Sequence, residues 1–212
     1  MHGEVRIVDD VATAFAALVA DTAPASIALS GGSTARAAYE ALAHIKFDWD
    51  GVDVYFGDER WVPVSDPESN EGMARAALLD RARPRVVHSL RGAFTSIDDA
   101  AAAYGALIAA APPIDLVHLG LGPDGHTASL FPGSAALGVH DRFVVTNADA
   151  LHPHPRLTFT FPALARSRLI VFTVAGIDKH DAFARTRAGD DLPAARVTAQ
   201  HVVWLVDPAA AG

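Results

Sequence analysis

Short apolar runs recur along the chain, and each ends abruptly in a polar or glycine-rich turn. The clearest runs, all of strand length, cover residues 27–29, 52–56, 114–121, 169–174 and 202–206. Between them lie segments with helical periodicity, such as 97–110, where Ala101, Tyr104, Leu107 and Ile108 share one face. Alternation of buried strands with helices is typical of a parallel sheet. The pattern therefore predicts an α/β fold with a mainly parallel, twisted sheet flanked by helices.

Three polar turns directly follow predicted strands. They are Ser30-Gly31-Gly32-Ser33-Thr34, Gly57-Asp58-Glu59-Arg60-Trp61 and the glycine-rich stretch over residues 120–133. The carboxyl ends of parallel strands lie at one edge of the sheet, and ligands of open α/β sheets bind there. The sequence therefore predicts one site built from all three turns.

The third turn contains an acid and an imidazole, Asp124 and His126, which supply charge and proton transfer. Its glycines Gly120, Gly122 and Gly125 also satisfy G-x-G-x-x-G, the dinucleotide-binding fingerprint. That fingerprint requires a long helix that begins directly at the turn, whereas Pro132-Gly133 would stop a helix after about two turns. The sequence therefore favours a loop around a smaller anion.

The first two turns each allow two interpretations. A strand, Gly-Gly-Ser-Thr and then a helix is an anion-binding arrangement, but Gly31-Gly32 is equally compatible with a tight turn, with Ser33 or Thr34 as helix cap. An Asp-Glu-Arg segment taken alone is typical of a solvated charge run. The presence of three polar turns at one predicted edge favours a binding role for both.

Two basic residues are candidates for the same site. Lys179 follows a glycine that ends a predicted strand, and a cation at a helix N-terminus is unfavourable unless it has another role. Arg156 lies between Pro155 and a predicted strand, a position that suits a bidentate contact with phosphate, although a surface arginine fits equally well.

Composition limits the possible functions. The 212 residues are predicted to form one domain, 1–212, and the formal charge of −8 without a basic stripe argues against nucleic acid as a partner. The absence of cysteine excludes thiolate catalysis and cysteine-ligated zinc. His152 and His154 have no third ligand nearby in sequence, which argues against a zinc site, and His118 is predicted to be a satisfied interior or half-buried residue. No signal peptide or membrane-length apolar run is visible, so we expect a cytoplasmic protein without membrane contact.

Several motifs together resemble the 6-phosphogluconolactonase family, within the glucosamine-6-phosphate isomerase and deaminase superfamily. In chain order they are the stretches over 29–34, 58–63, 69–70, 120–133, 156–158 and 176–179. The most specific is Asp-Gly-His-Thr-Ala-Ser-Leu-Phe-Pro-Gly, residues 124–133, whereas the Gly-Gly-Ser-Thr turn also occurs in the deaminases. The resemblance implies a modified Rossmann-like sheet and hydrolysis of 6-phospho-D-glucono-1,5-lactone in the pentose phosphate pathway, without cofactor or metal.

Under this hypothesis His126 activates water, Asp124 orients the imidazole or the loop, and Arg60 stabilises the oxyanion or holds substrate. The phosphate-binding candidates are Gly31, Gly32, Ser33, Thr34, Arg156 and Lys179. The only partner expected is the small sugar-phosphate lactone. The sequence is compatible with a monomer but does not determine the oligomeric state.

Two other functions remain as alternatives. An amino-sugar phosphate deaminase or isomerase of the same superfamily would carry an acidic residue after the histidine turn, and Ser129-Leu130-Phe131-Pro132-Gly133 has none. A non-catalytic sugar-phosphate sensor would require an attached DNA-reading element, which the sequence does not contain.

Overall fold

The computed structural model describes residues 1–148 and 153–212. In these ranges the strands are β1 (Glu4–Ile7), β2 (Ser26–Leu29), β3 (Asp53–Phe56), β4 (Asp58–Arg60), β5 (Val86–Val87), β6 (Leu116–Gly120), β7 (Val144–Asn147), β8 (Arg156–Phe159), β9 (Leu169–Val174) and β10 (His201–Val206). Seven of the described strands form one sheet in the order β1-β10-β9-β6-β2-β3-β5, and every neighbouring pair is parallel. The predicted mainly parallel α/β sheet is confirmed.

Helices connect these strands. They are α1 (Val11–Thr22), α2 (Ser33–Leu42), α3 (Asn70–Ala74), α4 (Asp80–Ala82), α5 (Ile97–Ala110), α6 (Phe161–Ala165), α7 (His180–Ala188) and α8 (Pro208–Ala211). A π-helical turn, Arg75–Leu79, joins α3 to α4, and 3₁₀ turns cover Ala135–Gly138, Ile177–Lys179 and Pro193–Arg196. No helix in the described part of the chain is long and apolar enough to cross a bilayer.

Local sequence explains where the helices begin. Asp10 accepts a hydrogen bond from the backbone N–H of Ala12, and Ser96 accepts one from Asp99, so both act as N-caps. The apolar faces pack against the sheet, where Trp204 of β10 stacks on Phe172 of β9 with ring centroids 3.7 Å apart. Both rings are buried in a core that is continuous across the sheet and its helices.

A second sheet of three antiparallel strands lies in the order β4-β8-β7. The sequence predicted a turn at residues 57–61, but Asp58–Arg60 is instead a strand paired with β8. Gly57 alone separates β3 from β4, and it links the two sheets because its N–H donates to Leu29 O (2.8 Å) and its carbonyl accepts from Phe159 N (2.7 Å). The second sheet therefore begins at the carboxyl edge of the first.

Candidate active site

The carboxyl edge of the parallel sheet carries a cavity of about 210 Å³. It is lined by loops that follow β2, β6 and β9 and by β4. Seven of the residues predicted from the sequence line it together: Gly31, Gly32, Ser33, Thr34, Arg60, His126 and Lys179. The three polar turns thus do meet at one edge, as the parallel topology requires.

The Gly-Gly-Ser-Thr segment joins β2 to α2. Gly32 has a φ of 100° and precedes Ser33, the first helical residue. Within the described residues no side chain caps this helix, so the N–H groups of its first turn have no side-chain acceptor, and its first three residues line the cavity. Such an end favours a bound anion. The alternative in which Ser33 or Thr34 caps the helix is therefore wrong.

Gly31 permits a close approach between two loops. A Cβ at this position would overlap Oδ1 of Asn70, which lies at the start of α3. Asn70 is held in turn by β4, because its Nδ2 donates to the backbone oxygen of Asp58 at 3.0 Å and to Oδ1 of Asp58 at 3.1 Å. The glycine thus allows the Gly-Gly-Ser-Thr loop to pack directly on Asn70, which is bonded to β4, the strand that carries Arg60.

His126 lies in a loop after β6 and is paired with Asp124. Oδ1 of Asp124 lies 2.5 Å from Nδ1 of His126 and also accepts the backbone N–H of His126 at 3.1 Å. Burial acts to raise the pKa of Asp124, but the charge and donors of His126 outweigh it and lower that pKa below its usual range. Asp124 is therefore an ionised carboxylate that fixes the orientation of the imidazole.

The loop over residues 121–134, here called the histidine loop, is fixed by hydrogen bonds and contains no helix. Gly122 N donates to His126 O (2.9 Å), and Thr127 Oγ1 donates to Gly120 O (2.9 Å). A Cβ at Gly122 would overlap the imidazole of His126, which explains the glycine there. Residues 121–134 form turns and one isolated bridge instead of the helix that dinucleotide binding needs.

Arg60 lines the cavity from β4, and its surroundings are not a solvated charge run. Asp58 and Glu59 are only 6% and 1% exposed. Nη1 of Arg60 donates to the carbonyl oxygen of Glu68 at 2.6 Å, which anchors one arm of the guanidinium. The solvated interpretation of Asp58-Glu59-Arg60 is therefore wrong.

Glu59 fastens β4 to the following helix. Its carboxylate accepts the backbone N–H groups of Asn70 (2.7 Å) and Glu71 (2.8 Å) and the hydroxyl of Ser69 (2.9 Å). Burial raises the pKa of Glu59, although these donors oppose the rise. A carboxylate at the N-terminus of a helix is also favoured by the helix dipole, so this contact fixes α3 relative to Arg60.

Arg156 lies on β8 and is not among the residues that line the cavity. It is 5% exposed, and its Nη1 has no hydrogen-bond partner among the described residues. Burial, followed by the nearby charge of Arg60, lowers the pKa of its guanidinium. The structure thus places Arg156 as a buried cation beside Arg60, not on the open cavity wall and not at the surface.

Lys179 ends the 3₁₀ turn that follows β9, and it lines the cavity. Its Nζ lies 3.2 Å from Oδ2 of Asp178, a largely exposed carboxylate. A pair of this kind contributes little on its own and leaves the remaining ammonium donors available to a ligand.

Four polar side chains that line the same cavity were not among the predicted site residues: Ser30, Asp58, Asn70 and Thr173. Asp58 was detectable from its position directly after a strand, and Ser30 from its place beside the Gly-Gly turn. Asn70 belongs to the 69–70 motif of the family resemblance, whereas Thr173 gave no local signal, because sheet packing brings it to the cavity.

His118 lies beneath this cavity and is fully buried. Its Nδ1 lies 2.8 Å from Oη of Tyr39, and its Nε2 lies 2.8 Å from Oγ1 of Thr173. Burial lowers the pKa of His118 to about 3, so the ring is neutral. Tyr39 also accepts the backbone N–H of Ser30 at 2.7 Å, which ties the ring to the loop that precedes α2. The prediction of a satisfied interior histidine is confirmed.

No group of three or more histidine and carboxylate side chains suited to a metal ion occurs within residues 1–148 and 153–212. Nε2 of His154 lies 2.7 Å from Oε2 of Glu68, whereas His152 lies outside the described residues.

The chain is similar in sequence to known proteins of one family. The family model "Glucosamine-6-phosphate isomerases/6-phosphogluconolactonase" matches residues 4–204. A 6-phosphogluconolactonase of Synechocystis is 40% identical in an alignment that covers 93% of this chain and 88% of that protein.

Solved structures share the fold. The crystal structure of 6-phosphogluconolactonase from Thermotoga maritima has a TM-score of 0.85 and 28% identity, covering 96% of this chain and 99% of that one. A monomeric glucosamine-6-phosphate deaminase has a TM-score of 0.84 at 19% identity, covering 98% of each chain. The second likeness concerns the fold alone, since both activities occur on this architecture.

Proposed function

Because the chain belongs to the glucosamine-6-phosphate isomerase/6-phosphogluconolactonase family, we propose that it hydrolyses 6-phospho-D-glucono-1,5-lactone to 6-phosphogluconate. The observation that carries this proposal is that His126, which is paired with Asp124, lines the same small cavity as Arg60 and the uncapped N-terminus of α2. A general base, a cation for a developing oxyanion and an anion-binding loop are what hydrolysis of a phosphorylated lactone needs. We propose that residues 1–212 act as one lactonase domain.

His126 is proposed as the general base. Asp124 engages its Nδ1, so Nε2 takes a proton from water as the water oxygen attacks the lactone carbonyl carbon. The carbonyl oxygen becomes an oxyanion, and the guanidinium of Arg60 stabilises it. When the ring C–O bond breaks, the imidazolium returns its proton to the departing alkoxide, and the product is an open-chain carboxylic acid. Water is the only co-substrate that these reaction steps require.

The phosphate is proposed to bind where positive charge and free backbone donors coincide. Gly31, Gly32, Ser33 and Thr34 contribute backbone N–H groups and hydroxyls, and Lys179 contributes an ammonium group at the cavity wall. Arg156 is proposed to add a second guanidinium beside Arg60, since its Nη1 has no partner among the described residues. Binding of an anion would compensate the buried charge of Arg156 and complete the free donors of Lys179.

The related deaminase activity is less well supported. The stretch 129–133 lacks the acidic residue that ring-opening proton transfer would use, and the relatives at about 40% identity carry the name 6-phosphogluconolactonase. The fold does not discriminate, because a deaminase shares it.

The test is enzyme-dependent acid release from 6-phosphogluconolactone in a pH-stat, corrected for spontaneous opening. Ammonia release from glucosamine 6-phosphate is measured in parallel. We expect acceleration of lactone opening and no ammonia. Ammonia release without lactone opening would identify a deaminase, and calorimetric binding of 6-phosphogluconate without turnover would identify a sensor.

A further inference from the structure

A group of oxygen atoms at one wall of the cavity has no role in the steps above. It consists of the carboxylate of Asp58, Oδ1 of Asn70 and Oγ of Ser30, here called the acceptor patch. All three residues line the cavity, and they are 6%, 1% and 4% exposed, respectively. Oγ of Ser30 and Oδ1 of Asn70 are buried and have no hydrogen-bond partner among the described residues. Buried polar atoms in this state are costly unless a ligand or water completes them.

Asp58 is the charged member of the patch, and its position is fixed. Oδ1 accepts from Nδ2 of Asn70 at 3.1 Å, and Oδ2 accepts from the hydroxyl of Ser129 at 2.7 Å. An ionised carboxylate has about four acceptor positions, so each oxygen retains capacity for a further donor. Among residues 1–148 and 153–212, no lysine, arginine or histidine forms a salt bridge with Asp58.

The donors that hold Asp58 are themselves immobile. Ser129 N donates to Oγ1 of Thr158 at 3.1 Å, and Ser129 O accepts from Nδ2 of Asn147 at 2.7 Å. Nδ2 of Asn70 also donates to the backbone oxygen of Asp58. The carboxylate therefore cannot turn away from the cavity without breaking contacts between β4, α3 and the histidine loop.

The chemistry of the patch selects one part of a sugar-phosphate ligand. A phosphate brings no donors near neutral pH and is repelled by a buried carboxylate, whereas a sugar hydroxyl is a neutral donor that matches all three oxygens. We propose that the acceptor patch binds ring hydroxyls of the substrate, with Asp58 as the principal acceptor. This inference rests on the proposed function, and it makes Asp58 a specificity-determining residue for the sugar part of the substrate.

A purely structural role for Asp58 is the rival explanation, since its contact with Ser129 joins the histidine loop to β4. Asp58→Asn separates the two roles. In that variant Oδ1 still accepts from Asn70, and the new amide donates to the Ser129 hydroxyl, so the junction is retained while the charge and one acceptor are lost. Ser129→Ala is the matched control, because it weakens the junction but leaves the carboxylate in the cavity.

The experiment compares kcat/KM of wild type, Asp58→Asn and Ser129→Ala on 6-phosphogluconolactone and on its 2-, 3- and 4-deoxy analogues. Hydrogen bonds to a charged group are worth about 1.5–3 kcal/mol, so Asp58→Asn should lower kcat/KM on the parent lactone about 10- to 150-fold. On the analogue that lacks the recognised hydroxyl the same substitution should have almost no effect, because the contact is already absent. Ser129→Ala should show no such dependence on the analogue.

The same factor of loss on the parent and on all three deoxy analogues, or no loss at all, would overturn the inference. Calorimetric binding of 6-phosphogluconate and its deoxy counterparts, measured on the same proteins, keeps the two proposals apart. One outcome is that wild type fails to open the lactone while Asp58→Asn weakens binding only of the ligands that carry the recognised hydroxyl. That outcome supports the inference and refutes the proposed function. Turnover by wild type without any hydroxyl dependence refutes the inference alone.

Discussion

Arg60 and Arg156 lie directly opposite each other on the antiparallel strands β4 and β8. Like charges in this position repel, and burial of Arg156 increases the cost of its charge. Burial and Arg60 together lower the pKa of Arg156. A bound anion would relieve both effects, which is why the pair supports a phosphate or oxyanion site between the two sheets.

Arg156→Ala should therefore raise KM for 6-phosphogluconolactone about 10- to 150-fold, with a smaller change in kcat, because a charge-assisted contact present in both ground and transition states is lost. Steady-state kinetics on the phosphorylated and unphosphorylated lactones would check this. The unphosphorylated lactone should be a much poorer substrate of wild type and should be insensitive to the substitution. Equal losses on both lactones would remove Arg156 from phosphate binding.

Arg60→Lys should lower kcat on the order of 10²-fold, although the positive charge is kept. One arm of the guanidinium is held by the Glu68 carbonyl, and an ammonium does not reproduce that anchor and a directed donor at the same time. Steady-state assays in a pH-stat give kcat, and thermal denaturation provides the control for folding. A variant with wild-type turnover would show that Arg60 serves only to hold the loop.

His126→Asn should lower kcat about 10²- to 10⁴-fold while the protein remains folded, because the general base is removed. A pH-stat series with the spontaneous rate subtracted provides the measurement; near-wild-type kcat in His126→Asn would refute the assignment.

His118 should make the folded protein sensitive to acid. Its pKa is about 3 when folded and about 6.5 when unfolded, so between these values the unfolded state binds a proton that the folded state does not. Stability attributable to this group is complete above pH 6.5 and is lost as the pH falls toward 3. The slope of its contribution approaches about 1.4 kcal/mol per pH unit within that window.

Urea denaturation at pH 7.5, 6, 5 and 4.5 would measure this slope. His118→Gln keeps a donor and an acceptor but does not titrate, so its free energy of unfolding should depend less steeply on pH. His140→Gln, at an exposed position, is the matched control and should retain the wild-type slope. An unchanged slope in His118→Gln would contradict the predicted burial of a neutral ring.

The sequence by itself determined the parallel sheet and the loops at its carboxyl edge. Strand length, helical periodicity and glycine-rich turns are local properties, and the rule that parallel strands end at one edge converts them into a shared site. For this reason seven residues were predictable as neighbours from their positions after strands: Gly31, Gly32, Ser33, Thr34, Arg60, His126 and Lys179.

Only the tertiary structure decided what depends on contacts between distant segments. The pairing of β4 with β8 placed Arg156 opposite Arg60 and buried it, although both the clamp and the surface interpretation were open from sequence. The packing of Asn70 on Gly31 and the contact of Ser129 with Asp58 fixed the acceptor patch of the cavity. No local pattern encodes these contacts, because side-chain burial and strand register are set by the whole fold.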